Sequence, residues 1–145
     1  FCYFKVSNRE LALDLVQETF TKAWAAIVKG QDVDNLKSFL YKIANNLIID
    51  EYRKRKTVSL DSLRTEGFDV ADHHHDTAVV GAESKRALLI IDKLDDKYKE
   101  VVTLRFVSDL SPKEIAEVLG ETENAVSVRI NRAMKQMREL FNGNE

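Results

Sequence analysis

S-P-K-E-I-A-E-V-L-G-E-T-E-N-A-V-S-V-R-I-N-R-A-M, residues Ser111 to Met134, decides the fold, because it is spelled as two short helices joined by a tight turn. Ser111 can accept from the backbone N–H of Glu114 while Glu114 reaches back to the N–H of Ser111, and Pro112 sits where no N–H is needed. Ile115, Ala116 and Leu119 then share one inward stripe. Gly120 stands where a helix most readily ends in a left-handed residue, and Thr122 is placed to cap the next helix, which should run to about Phe141. The small Ala116 and the apolar Val126 suit the close crossing this layout requires.

On the second helix Val126, Ile130, Ala133, Met134 and Met137 recur at three and four residues and should face the core. Ser127, Asn131, Lys135 and Arg138 form another row. One face packs and the other is available to read, which is the layout of a helix-turn-helix whose second helix enters a DNA groove. From Glu123 to Phe141 there are four Lys or Arg against two Glu, a modest basic excess. A row of this kind is also how a solvated helix face looks, so the row alone does not decide; the motif around it favours DNA.

Outward from this stretch, 145 residues at 44% hydrophobic content can bury a real core, as one domain or two small ones. A single Pro, five Gly and long 3.6-period stretches without sustained alternation indicate an all-α protein. One cysteine, Cys2, offers no disulfide or metal framework and fits a reducing cytosol. No apolar run is long enough to span a bilayer, so no membrane insertion is expected, and no secretory leader is expected either. The chain opens at Phe1 without an initiator Met, so its first helix is expected to be incomplete. The formal net charge of −2 argues at first against nucleic acid, since phosphate contacts need Lys and Arg. The basic run Arg53-Lys54-Arg55-Lys56 shows that distribution matters more than the sum, although a cationic helix end is also an ordinary response to the helix dipole.

Two helical halves are expected. In the first, Leu11 to Ile27 carries Leu13, Val16, Phe20, Ala23, Trp24 and Ile27 at helical spacing, and Leu36 to Tyr52 carries Leu36, Leu40, Ile43, Ala44, Leu47 and Ile48; the two should pack together. The polar loop between them offers Asp34 or Asn35 as a cap. In the second half, Ala87, Leu88, Ile91 and Leu94 mark one helix, and Tyr98, Val101, Val102, Leu104 and Phe106 the next. Periodicity fades between Thr57 and Ala82, which reads as a linker. The domains are thus residues 1–56 and 83–145, with 57–82 as tether. His73-His74-His75 lies in that tether and lacks the spacing of a metal site, so no metal or other cofactor is assigned. There is no glycine-rich phosphate loop, no nucleophile elbow and no Cys–His pair, and an enzyme is a poor reading.

With both halves placed, the chain resembles a bacterial sigma factor of the extracytoplasmic-function group, the small type with only regions two and four. A-L-D-L-V-Q-E-T-F-T-K-A-W, Ala12 to Trp24, resembles the helix that grips the beta-prime clamp helices of core RNA polymerase. F-L-Y-K-I-A-N-N-L-I-I-D-E-Y-R-K-R, Phe39 to Arg55, resembles the promoter-melting helix, and the helix-turn-helix is then region four. The resemblance implies a cytoplasmic bacterial transcription initiation factor, monomeric when free. Its partners would be core polymerase, including the beta flap, promoter DNA and an anti-sigma protein.

It also implies site residues. Asp14, Gln17 and Glu18 would face polymerase. Lys29, Asn35, Asn45, Asn46, Arg53 and Lys54 would line the melted strand, with a flipped base held in the loop from Lys29 to Asn35; extruding that base costs a few kcal/mol. Asp50 lies along the same helix, and Tyr41 or Phe39 could stack on a base, although Phe39 reads better as core. In the upstream element Ser127, Val128 and Asn131 would meet base edges, with Glu123 and Asn124 at the start of the reading helix and Arg129, Arg132 and Lys135 on phosphates. Helical rotation leaves Arg129 able to point elsewhere. Relatives often carry Trp in place of Phe39, Arg in place of Asn45, and Lys or Arg in place of Ser127. Fewer charged contacts are therefore expected here. Two other readings remain: a dimeric or ligand-responsive helix-turn-helix regulator, which would need palindromic sites, and a helical adaptor binding only proteins.

Overall fold

The structure, a computed structural model, describes residues 1–62 and 82–143. It divides into two compact units at residues 73 and 74. The expected tether lies mostly outside the described residues, and the His73-His74-His75 tract wholly so. The described residues contain helices and no strands.

The first unit holds α1 (Cys2–Val6), α2 (Arg9–Val28) and α3 (Leu36–Ser62). Asn8 starts α2 by accepting from the Leu11 N–H at 2.9 Å, and Asn35 starts α3 by accepting from the Ser38 N–H at 3.1 Å. The core gathers Cys2, Ala12, Leu15, Ala44, Leu47 and Ile48, with Phe1, Tyr3, Val6, Leu11 and Ile43 packed at its edge.

Here the inward face of α2 differs from the expected one. The buried row is Ala12, Leu15, Thr19 and Ala23, whereas Leu13, Phe20 and Trp24 are 54%, 59% and 70% exposed, and Val16 and Ile27 are also exposed. The cause is the size of the buried side chains: Ala12, Thr19 and Ala23 let α3 approach closely, and Thr19 satisfies its hydroxyl by donating to the Leu15 carbonyl at 2.6 Å. Choosing the row by bulk selected the neighbouring stripe. On α3 the expected row holds except at Leu36, which is exposed. The helix also runs through Lys56 into the start of the expected linker. No Gly or Pro interrupts it, an Arg55–Glu51 pair at 3.2 Å spans one turn, and the Thr57 hydroxyl donates to the Arg53 carbonyl.

The second unit holds α4 (Ala82–Asp92), α5 (Asp96–Val102), a π-helical turn (Thr103–Val107), α6 (Pro112–Leu119) and α7 (Glu123–Asn142). Its core includes Ile90, Ile91, Leu94, Val101, Val102, Leu104, Leu110, Ile115, Val118, Val126 and Ala133. Ala87 and Phe106, both expected inside, are exposed. The π-turn explains Phe106: its wider winding, closed by a bond from the Ser108 N–H to the Thr103 carbonyl, carries that ring outward. Asp109 then adopts φ +53°, a left-handed conformation Asp tolerates, and Arg105 donates to the Leu110 carbonyl at 3.1 Å, which brings the chain into α6.

Candidate nucleic-acid and polymerase interface

The turn between α6 and α7 is fixed by local bonds. Ser111 Oγ accepts from the Glu114 N–H at 3.2 Å, and Glu114 Oε2 accepts from the Ser111 N–H at 2.7 Å, completing the expected reciprocal cap. Gly120 has φ +68°, and the Glu121 N–H donates back to the Ala116 carbonyl at 3.0 Å. Thr122 caps α7 through the Ala125 N–H. Val126 and Ala133 are fully buried, which anchors one side of α7 and sets the orientation of the other.

On that other side Glu123, Asn124, Val128, Asn131, Arg132 and Lys135 are exposed, and Ser127 is half-buried. Asn131, Arg132 and Lys135 thus project from one solvent-facing surface beside Val128. Arg129 is different. Its Nη2 lies 2.5 Å from Glu121 Oε2, so the guanidinium turns back to the inter-helix turn, and only 23% of its side chain is accessible. Glu121 was not among the residues singled out from the sequence; its placement eight residues before Arg129, across a turn, gave no periodic signal.

In the first unit the expected residues separate. Asp14, Gln17 and Glu18 are all exposed on α2. The exposed apolar stripe of Leu13, Val16, Phe20 and Trp24 runs between the buried row and Gln17 and Asp14, while Glu18 borders that row from the other side, as a helix of 3.6 residues per turn requires. Its bulk and helical spacing read as core in the sequence, and only the fold shows it to be surface. Glu18 pairs with Lys22 at 3.3 Å, and both line a recess between α2 and α3 with Asp50, Glu51, Arg53 and Lys54. A residue expected to face polymerase and two expected to face DNA therefore share one recess. Arg53 approaches Asp50 at 3.9 Å with most of its surface in water, a pairing worth little by itself.

Asn45 needs correction. It is 4% exposed, on the same inward face as Ala44 and Ile48, and its amide is not presented to a strand. Its Oδ1 has no hydrogen-bond partner among the described residues. Asn46, the next residue, is exposed. Asn35 is on the surface, but its Oδ1 is used as the α3 cap. Lys29 closes α2 and, with Lys22, Ala25, Ala26, Gly30 and Gln31, lines a second open recess that has cations on its wall. Phe39 and Tyr41 are both half-buried, and the Tyr41 ring meets Phe1 edge-on at 5.4 Å, so neither is a free stacking platform.

Comparison with known proteins gives the same division. The sigma-70 region 2 family model matches residues 1–58, and the sigma-70 region 4 model matches residues 84–137. The chain is 37% identical to the RNA polymerase sigma factor SigV of Bacillus subtilis (strain 168), over 92% of this chain and 77% of that protein. It is 35% identical to the ECF RNA polymerase sigma factor SigW of the same organism, over 96% and 82% respectively. Among solved structures, the sigma factor RpoE in complex with the anti-sigma factor NepR from Bartonella quintana aligns with a TM-score of 0.74 at 26% identity, covering 99% of this chain and 89% of that one.

Proposed function

Since this chain belongs to the sigma-70 family, in its ECF group, and is a transcription initiation factor that directs RNA polymerase to promoters, we propose that its two units divide that work. The first unit docks on core polymerase through the α2 surface of Asp14, Gln17 and Glu18, and opens the minus-ten element with Asn46, Arg53 and Lys54. The cationic recess at Lys29 is the place for an extruded base, whose pocket contacts must offset a flipping cost of a few kcal/mol. The second unit reads the minus-thirty-five element: Ser127, Val128 and Asn131 meet base edges, and Arg132 and Lys135 meet phosphates. Glu123 and Asn124 border this surface at the start of α7.

The observation that carries this reading is the single solvent-facing surface of Val128, Asn131, Arg132 and Lys135 on a helix pinned from behind by fully buried Val126 and Ala133. An anti-sigma protein is the expected inhibitor, as RpoE of Bartonella quintana has in its complex with NepR. The exposed stripe of Leu13, Phe20 and Trp24 offers apolar area for a protein partner. No helix among the described residues is long and apolar enough to cross a membrane. We place the factor in the bacterial cytoplasm, with polymerase.

Permanganate probing, with nuclease footprinting beside it, of a promoter complex formed with purified core polymerase tests the division. Wild-type factor should unstack thymines near minus ten and protect the upstream element. Arg53→Ala with Lys54→Ala should lose the first signal and keep the second, and the loss of both together would refute separate roles.

A further inference from the structure

Among the described residues, Arg129 is the one cation on the reading helix paired with a carboxylate, and that partner belongs to the turn rather than to α7. Glu121 is held by its own backbone, whose N–H is bonded to the Ala116 carbonyl, and its Oε2 takes the Arg129 Nη2 at 2.5 Å. The two side chains are 31% and 23% exposed, so the pair is partly withdrawn from solvent screening without being buried. A charge-assisted bond to a carboxylate holds a planar guanidinium in a fixed direction. Arg132 and Lys135, further along α7, are exposed.

We infer that Glu121 restrains sequence-independent DNA binding: by holding Arg129 against the turn it keeps one positive charge off the phosphate backbone. The inference rests on the reading of α7 as the promoter-contacting helix. Each phosphate neutralised by a Lys or Arg releases counterions and steepens the dependence of log affinity on log salt by about 0.9. That contribution is the same for every sequence. A cation withheld in this way lowers affinity for matched and scrambled DNA alike, and leaves the base-edge contacts as the larger share of what remains. Because that reduction is the same for every sequence, the ratio of matched to scrambled affinity is unchanged, and what falls is the total amount of sigma factor held on DNA.

The test uses holoenzyme reconstituted from the full chain and core polymerase, titrated at several salt concentrations against matched promoter duplex and a scrambled duplex. Glu121→Ala should release Arg129, raise affinity for both duplexes, and steepen both salt slopes by about 0.9. Arg129→Met, which keeps an apolar stem in place of the guanidinium, should leave both slopes where they are in the wild type. The double variant should return to the wild-type slope. Two results would overturn the inference: a shallower slope in Arg129→Met, which would make Arg129 a phosphate ligand already, or a gain from Glu121→Ala that survives in the double variant, which would be simple removal of an acid. Thermal unfolding of each variant, expected to lie close to the wild type at this partly exposed pair, shows whether all are folded. Wild-type holoenzyme that failed to distinguish matched from scrambled duplex would refute the underlying reading itself, and the inference with it.

Discussion

Asn131 and Arg132 are neighbours on α7, both exposed, and physics assigns them opposite kinds of effect. An amide that reads a base edge loses about 1–3 kcal/mol when removed, and only on the sequence it reads. Asn131→Ala should therefore weaken matched promoter binding and leave scrambled DNA unchanged. Arg132→Ala should weaken both and make the salt slope shallower by about 0.9. Titration at two salt concentrations separates them, and identical behaviour of the two variants would contradict the assignment. Cys2 gives a second test at this scale. Burial pushes its thiol up from the ordinary range, because a thiolate in the core loses its hydration. Folding thus favours the protonated form, so the sign of the linkage is negative with pH: the contribution is intact at neutral pH and is lost as pH rises past the ordinary thiol value toward the raised one. Urea melts at neutral and alkaline pH should show a smaller alkaline loss in Cys2→Ala than in the wild type. An equal loss in both would show that the thiol titrates alike in the folded and the unfolded chain, contrary to its burial.

At the scale of elements, the α6–α7 turn was almost wholly legible, because its controls are local. Ser111, Glu114, Pro112, Gly120 and Thr122 each act within about one turn of helix, and all stand in their expected roles. Gly120 has φ +68° with no atom within 4 Å of an added Cβ, so Gly120→Ala should cost backbone strain alone, about 1–2 kcal/mol. Ser111→Ala should cost about 0.5–2 kcal/mol through the lost cap. Urea denaturation measures both, and a neutral Gly120→Ala would contradict the left-handed cap. The α2 face was not legible in the same way. Two adjacent stripes of that helix both have helical period, and periodicity cannot say which one α3 covers. Close approach favours the smaller side chains, which hydrophobicity ranks low. Asn45 was misplaced for the same reason, since the inward face of α3 is wider than a single row and takes in an amide. The lone tryptophan checks this directly. Trp24 is 70% exposed, so the free chain should emit as a water-exposed indole and be quenched efficiently by acrylamide; blue-shifted, protected emission would return it to the core. The Glu121–Arg129 pair and the π-turn that exposes Phe106 depend on contacts across turns, beyond what spacing encodes.

At the scale of the whole molecule, two compact helical units fit a factor that makes one set of contacts with polymerase and another with DNA. A formal net charge of −2 predicts that the chain alone binds duplex promoter poorly, since the favourable cations are few and local. Affinity for the same duplex should rise sharply when core polymerase is present, as fluorescence anisotropy with and without polymerase would report. Sedimentation should find a monomer, where a two-fold helix-turn-helix regulator would be a dimer with half-sites about one helical turn apart. The most direct measurement is run-off transcription with purified core polymerase on a library of promoters. The predicted result is defined transcripts only when the chain is added, from templates sharing paired upstream and minus-ten elements, with Asn131→Ala relaxing the upstream element alone. Transcripts that appear without the chain, or no sequence selection when it is present, would contradict a promoter-directing factor built from these two units.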